Sequence, residues 1–218
     1  MPSRHPGATE HDYLPAFGRD ALLPFYDLLT SVLRVPKVHG QLLDLACLDD
    51  DTATLEIGCG TGNLTLMAKR RHPRTEVVGL DPDPLALARA TRKAGSLDVR
   101  FDRGYGQALP YQAASFDRVL SAFMLHHLAG EAREQTAAEA RRVLRPGGAL
   151  YLVDIGGRVA PSDGYAARRS LRSPHLCDNL GDRIPQLLLG AGFDECVELT
   201  HRVGRLIGRI TFYRASLT

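Results

Sequence analysis

The stretch Thr52–Thr65, TATLEIGCGTGNLT, most constrains what this chain can fold into. Ala53 to Ile57 is a short apolar run rich in β-branched residues, the pattern of a buried strand. Gly58, Gly60 and Gly62 follow at every second position, and Leu64, Met67 and Ala68 then begin a helical pattern. Strand, glycine-rich turn and helix in that order open a nucleotide-binding βαβ unit. The glycines let the backbone turn sharply and approach a ligand where a Cβ would collide.

Two details narrow the ligand. The dinucleotide fingerprint G-x-G-x-x-G would place its last glycine at position 63, which is Asn63. The spacing here is E-x-G-x-G-x-G, with Glu56 two residues ahead of the first glycine. A carboxylate at a strand end suits a cationic ligand group better than a pyrophosphate. The loop resembles motif I of class I S-adenosylmethionine-dependent methyltransferases. A purely structural turn is the plainer alternative; Glu56, the strand and the helix together favour a cofactor site.

The chain of 218 residues fits one domain with room for a short extra segment. A formal charge of +2 makes no global electrostatic case for nucleic-acid binding. Cys47, Cys59, Cys177 and Cys196 are scattered without CxxC or zinc spacing, so reduced thiols and no metal site are expected. Cys59 is expected as a small side chain tucked against the strand. The N-terminus MPSRHPGATEHD lacks the apolar core of a signal peptide, and no run approaches a membrane span. The expectation is a cytoplasmic protein, monomer or homodimer, without stable membrane insertion. Its expected parts are a flexible leader (1–12), a helical N-terminal cap (13–50) and a main domain (51–218).

Within the cap, Leu22, Phe25, Leu29 and Val32 fall at helical spacing, predicting a packed helix or a lid. Phe25-Tyr26-Asp27 resembles the Tyr-Asp pair ahead of motif I in the ubiquinone/menaquinone C-methyltransferase-like branch, which implies Tyr26 in the cofactor pocket. A second strand, Thr75 to Leu80, ends in Asp81, 19 residues past Gly62, where doubly wound folds place an acid beside a ribose. An N-cap is the alternative for Asp81, but Asp83 lies nearer the predicted helix Leu85–Lys93.

A third strand is predicted over Leu97–Phe101. The tract GYGQALPYQAASFDRVLSAFMLHHL is similar to the family's G-D-A-x-x-L-P-F-x-x-x-S-F-D, departing with Tyr105 for an acid and Gly106 for alanine. The resemblance implies cofactor contacts by Glu56, Gly58, Cys59, Gly60, Gly62, Asn63, Asp81, Pro82, Tyr105, Gly106, Gln107, Ala122 and Phe123. Phe116–Ser121 is the fourth strand, and Ala122–His127 lies past its carboxyl end, the edge where open α/β sheets bind ligands. His126 or His127 could take a proton from an acceptor. A structural use is equally open, since the family often shows a similar H-H-L.

The helix Glu131–Leu144 ends in Leu-Arg-Pro-Gly-Gly (144–148), a stop and turn into a strand, Ala149–Ile155, that delivers Asp154 at its end. That tract resembles the family's motif III region, and Asp154 joins the histidines as a candidate for contact with the acceptor. Residues 156–183 resist assignment. Four arginines between Arg158 and Arg172 face one acid, Asp163, which fits a solvated face or capture of an anion. A helix Ile184–Ala191 and strands Glu195–Thr200 and Leu206–Tyr213, joined through Arg202–Gly204, predict a closing hairpin.

The resemblance thus implies a Rossmann-like seven-stranded α/β sandwich, mostly parallel, with a C-terminal antiparallel hairpin and a helical cap. It implies methyl transfer from S-adenosyl-L-methionine by in-line displacement, releasing S-adenosyl-L-homocysteine. No N-P-P-Y-type tetrad follows the fourth strand, so a small or lipophilic acceptor is expected rather than nucleic acid. Its C, N or O nucleophile stays open. Two alternatives remain. One is a NAD-linked oxidoreductase, against which Asn63 counts; the other is a cofactor-binding but non-catalytic partner, which Tyr105 keeps open.

Overall fold

A computed structural model describes residues 35–204 and 207–218. Seven strands form one sheet in the order β3-β2-β1-β4-β5-β7-β6. They are β1 (Ala53–Ile57), β2 (Glu76–Asp81), β3 (Arg100–Arg103), β4 (Phe116–Ala122), β5 (Leu144–Ile155), β6 (Glu195–Gly204) and β7 (Gly208–Ser216). The first five are parallel to one another, and β7 runs antiparallel to both β5 and β6. The helices are α1 (Val35–Ala46), α2 (Asn63–Arg71), α3 (Pro84–Ala94), α4 (Gly130–Val143), α5 (Tyr165–Ser170) and α6 (Arg183–Gly190). This is the mostly parallel, Rossmann-like seven-stranded sandwich expected, hairpin included. Chain order reverses between β1 and β4, so the carboxyl ends of those strands form the crevice in which doubly wound sheets bind ligands.

Burial on both faces makes the central strands apolar on both sides. Leu150 and Leu152 of β5 join a core with Val143 of α4 and Ile184 and Leu188 of α6. Tyr151 and Val153, pointing the other way, join Leu42 and Leu43 of α1 and Leu64 of α2. Arg71 ties α2 to α1 through the Gly40 carbonyl at 3.1 Å and Asp44 at 2.8 Å.

Much of the recognisable sequence serves as scaffold. Asp117, of the S-F-D tract, accepts from the Ala53 amide at 2.8 Å and from Arg145 at 2.6 Å. Partial burial opposes its ionisation, but the Ala53 amide and Arg145 outweigh it and hold the carboxyl below its usual range. Glu139 of α4 accepts from the Leu109 amide at 2.8 Å, while Arg142 donates to the carbonyls of Leu109 and Tyr111. The L-P-Y stretch is thereby strapped to α4.

Three predicted boundaries are corrected. The third strand is Arg100–Arg103 rather than Leu97–Phe101, because the Leu97 amide closes α3 onto Ala94 and pairing with β2 begins at Arg100. The hairpin's first strand runs to Gly204, through residues expected in the turn, and its second starts at Gly208. β6 is a half-exposed edge strand whose polar Thr200–Arg202 mask the alternation. Leu144–Gly148 is the irregular start of β5 rather than a separate turn, with the register shifting between Phe116 and Arg118. Of the expected cap, only α1 and the residues after it are described. The leader, the stripe Leu22–Val32 and Tyr26 lie outside the described residues.

The glycine loop offers a controlled test of backbone against packing. Gly60 and Gly62 have φ of 52° and 76°, in the left-handed region. A Cβ at Gly62 would meet Ala90 and Phe101 at 2.9 Å, whereas one at Gly60 would meet nothing within 4 Å. Gly62→Ala is expected to lower stability by about 3 kcal/mol and Gly60→Ala by about 1 kcal/mol, read by urea denaturation. Equal losses would contradict the packing role of Gly62.

Candidate functional site

Glu56 stands one residue before the end of β1, 3% exposed, with its carboxyl bonded to the Thr65 hydroxyl of α2. Burial pushes its pKa up to about 8, with the Thr65 hydroxyl and amide pulling it down and Asp81 adding to the rise. A buried carboxyl of this kind is neutral at pH 7 until a cation reaches it. The loop after it holds Gly58 at φ 76°, where a Cβ would collide with Met124. The Gly58 and Cys59 amides both donate to the Leu80 carbonyl, at 2.8 and 3.0 Å. The loop is therefore clamped to β2.

Cys59 turns its thiol against β2 at Gly79, as expected for a small packed side chain, and burial pushes the thiol well above its usual range. Asn63 begins α2 with its side chain accepting from Lys93 at 2.7 Å, and Lys93 also reaches the Thr61 hydroxyl at 2.9 Å. Cofactor contact by Cys59 or Asn63 would therefore fall to their backbones. Gly60 differs from both, since its Cβ position faces open space.

Asp81 ends β2, buried, with one oxygen accepting from the Gly60 amide at 2.8 Å and the other from the Asp83 amide at 2.9 Å. Desolvation raises its pKa, opposed by those two amides. The helix cap belongs to Asp83, which accepts from the Leu85 amide at 2.8 Å, so Asp81 is not the cap of that helix. Pro82 between them is half-buried and its carbonyl accepts from Arg103 at 3.3 Å.

Tyr105, Gly106 and Gln107 lie partly buried in a tight turn closed by the Ala108 amide on the Tyr105 carbonyl. Gly106 has a packing reason of its own: a Cβ there would meet Thr136 of α4 at 2.9 Å and Ile57 at 3.2 Å. Across the crevice, Ala122 closes β4, and Phe123 takes φ 56°, unusual for a bulky residue. Its amide donates to Val153, and its ring lies 6.5 Å from that of His39. Burial pushes His39 down to about 4, so it is neutral.

The two histidines are not equivalent. His126 Nδ1 lies 2.6 Å from Asp154 Oδ1, and the His126 amide donates to Asp154 Oδ2 at 3.2 Å. The Asp154 side chain is fully buried, and that of His126 is 16% exposed. Burial works against charge on the imidazole, but Asp154 outweighs it and holds His126 above its ordinary range. In the neutral ring, Nδ1 then carries the proton and Nε2 keeps a lone pair. His127 is exposed on the same 3₁₀ turn (Leu125–His127), its ring 4.1 Å from that of His126.

Sequence reasoning missed Thr65, the partner of Glu56, and Arg133, which is buried on α4. Arg133 donates to the Leu125 carbonyl at 3.0 Å and the Asp178 carbonyl at 2.7 Å, tying the histidine turn to the Pro174–Asn179 segment. Its signal was present: Arg133, Ala137 and Ala140 share one helical stripe, and an arginine on an apolar stripe is anomalous.

A family model described as a methyltransferase domain matches residues 54–148. A demethylmenaquinone methyltransferase of Deinococcus radiodurans is 37% identical over 167 residues, covering 74% of this chain and 67% of that one. The chain belongs to the class I S-adenosylmethionine-dependent methyltransferase family. A second demethylmenaquinone methyltransferase, of Thermus thermophilus, is 38% identical over 139 residues, 62% of each chain. The match thus spans less than two thirds of the Thermus protein's length.

Solved structures agree on the fold. A methyltransferase from Thermotoga maritima superposes with a TM-score of 0.69 at 20% identity, covering 91% of this chain and 97% of that one. The cyclase SpnF gives a TM-score of 0.67 at 19% identity, covering 84% and 81%. The methyltransferase fold therefore carries more than one chemistry, and the reaction has to be argued from the site.

Proposed function

We propose that this methyltransferase-family protein transfers a methyl group from S-adenosylmethionine to a small, lipophilic acceptor. The observation that carries the reading is the pair of buried carboxyls, Glu56 and Asp81, at neighbouring strand ends with the open side of Gly60 beside them. Glu56 suits the cofactor's amino group, and Asp81 keeps lone pairs for two ribose hydroxyls. S-adenosylmethionine supplies an activated methyl on its sulfonium, so the protein mainly has to orient two partners and exclude water. Orientation is worth roughly 7–11 kcal/mol of barrier.

His126 is proposed as the base that takes the acceptor's proton at Nε2, with Asp154 fixing the tautomer and stabilising the imidazolium formed. His127, more exposed on the same turn, becomes the weaker candidate. The lipophilic acceptor draws on the demethylmenaquinone methyltransferases among the relatives, which also weigh against a non-catalytic role. Among the described residues, no helix is long and apolar enough to cross a membrane.

The test is incubation with methyl-labelled S-adenosylmethionine and a reduced demethylmenaquinone in detergent micelles. Label should enter the organic phase with the protein, and at least tenfold more slowly with an Asp81→Ala variant at sub-saturating cofactor. Label left entirely in the aqueous phase, across lipophilic quinols and phenols alike, would contradict the acceptor class.

A further inference from the structure

We propose that the groove lined by Tyr165, Arg168, Arg169, Arg172 and Ser173 is a docking surface for an anionic phospholipid bilayer. The groove, about 500 Å³, lies apart from the carboxyl pair and the His126 dyad. Its basis is the short helix α5, YAARRS, which buries Ala167 and Ser170 and turns Arg168 and Arg169 outward. Leu171 and Arg172 continue the exposed side. The buried side packs on the start of β7, where a Cβ at Gly208 would sit 3.2 Å from the Ser170 hydroxyl. Ile210 of β7 pairs with Ile155, the last residue of β5. The groove therefore opens at the carboxyl edge of the sheet, the edge that also carries Glu56, Asp81 and His126.

The charge is uncompensated. Arg158 is paired with Asp182 and Arg183 with Asp178, but among the described residues no carboxylate lies within ion-pairing distance of Arg168, Arg169 or Arg172. Arg168 donates from Nε to the Pro161 carbonyl at 3.1 Å. The acid nearest in the chain, Asp163, accepts from the Ala160 amide at 2.9 Å and forms no ion pair with these arginines. Tyr165 is 83% exposed and Leu171 39% exposed beside the arginines. Guanidinium groups match phosphate oxygens in a planar fork, and an exposed tyrosine lining the same groove is what a headgroup region accommodates. A small soluble anion would leave that side chain in water. The inference stands on this surface and not on the acceptor reading.

The experiment is co-sedimentation of the full chain with vesicles of phosphatidylcholine alone, or with one third phosphatidylglycerol, at physiological ionic strength. Binding to the anionic vesicles should exceed that to the neutral ones at least tenfold and weaken with added salt. An R168Q/R169Q/R172Q variant should lose roughly hundredfold in partition, at about fivefold per arginine near an anionic surface. Y165S should lose binding at unchanged charge. Unchanged circular dichroism would show that these variants still fold. Equal partition of parent and triple variant would overturn the proposal. So would full displacement by millimolar inorganic phosphate, which marks an isolated anion site, or tighter retention by RNA than by the vesicles.

Discussion

Asp154→Asn is expected to cut turnover by about 10²–10⁴-fold, the usual worth of a positioned acid–base group, with cofactor affinity kept within about twofold. Asp154 fixes His126 twice, at the ring and at the backbone amide, and it also accepts from the Ile155 amide at 2.7 Å. An asparagine cannot both present an acceptor to Nδ1–H and balance the charge of the imidazolium. The pH profile gives a second readout. The raised His126 pKa means that turnover in the parent rises with pH through a midpoint above the ordinary histidine value, as the ring becomes free to accept a proton. Removing the carboxylate should move that midpoint down. His126→Gln should abolish the pH step, and His127→Ala should leave it in place. If Asp154→Asn and His126→Gln both turn over like the parent, the dyad is scaffold only.

Asp81→Ala is expected to weaken S-adenosylmethionine binding by about ten- to hundredfold. Hydrogen bonds to a charged group are worth about 1.5–3 kcal/mol each, and 1.4 kcal/mol is tenfold in affinity. The loss has two sources, because the same carboxylate that would hold the ribose also fixes the Gly60 amide. Asp81→Asn separates them: it keeps one acceptor for Gly60 but halves what is available to the ribose, so an intermediate loss is expected. Calorimetric titration reads both variants. Parent-like affinity in folded Asp81→Ala protein would remove the ribose assignment.

The parts of the fold legible in the sequence were those in which local chemistry and tertiary demand coincide. Ala53–Ile57 was found residue for residue, because a strand buried on both faces has to be apolar and a glycine turn marks its end. Asp83 and Asp81 were told apart because a cap has to lie within a residue or two of its helix. β6 and the turn before β3 were harder to read, since an edge strand tolerates polar side chains and backbone bonds leave no trace in side-chain pattern.

At the candidate site, the strand-end acids and glycines were visible, but their partners were not. Nothing in the spacing says that Thr65 meets Glu56, that Lys93 meets Asn63, or that Asp154 reaches His126 rather than His127. Those pairs join residues on different elements, and only the assembled sheet brings them together. Arg133 was missed too, although a charge on a buried stripe is a signal that the sequence carries. The segment 156–183 stayed opaque because its helices are short, and two of them are 3₁₀ turns without a sustained period.

The most direct measurement is calorimetric titration of the purified protein with S-adenosylmethionine, S-adenosylhomocysteine and NADH. At pH 7 it would be run in two buffers of different ionisation enthalpy. Glu56, with its pKa pushed up to about 8 by burial, holds a proton in the free protein and gives it up when a cationic amino group arrives. The expected result is micromolar binding of the first two ligands with release of about one proton per site, and no heat from NADH. Binding of NADH, or of neither S-adenosyl compound, would contradict the cofactor assignment and the reaction proposed with it.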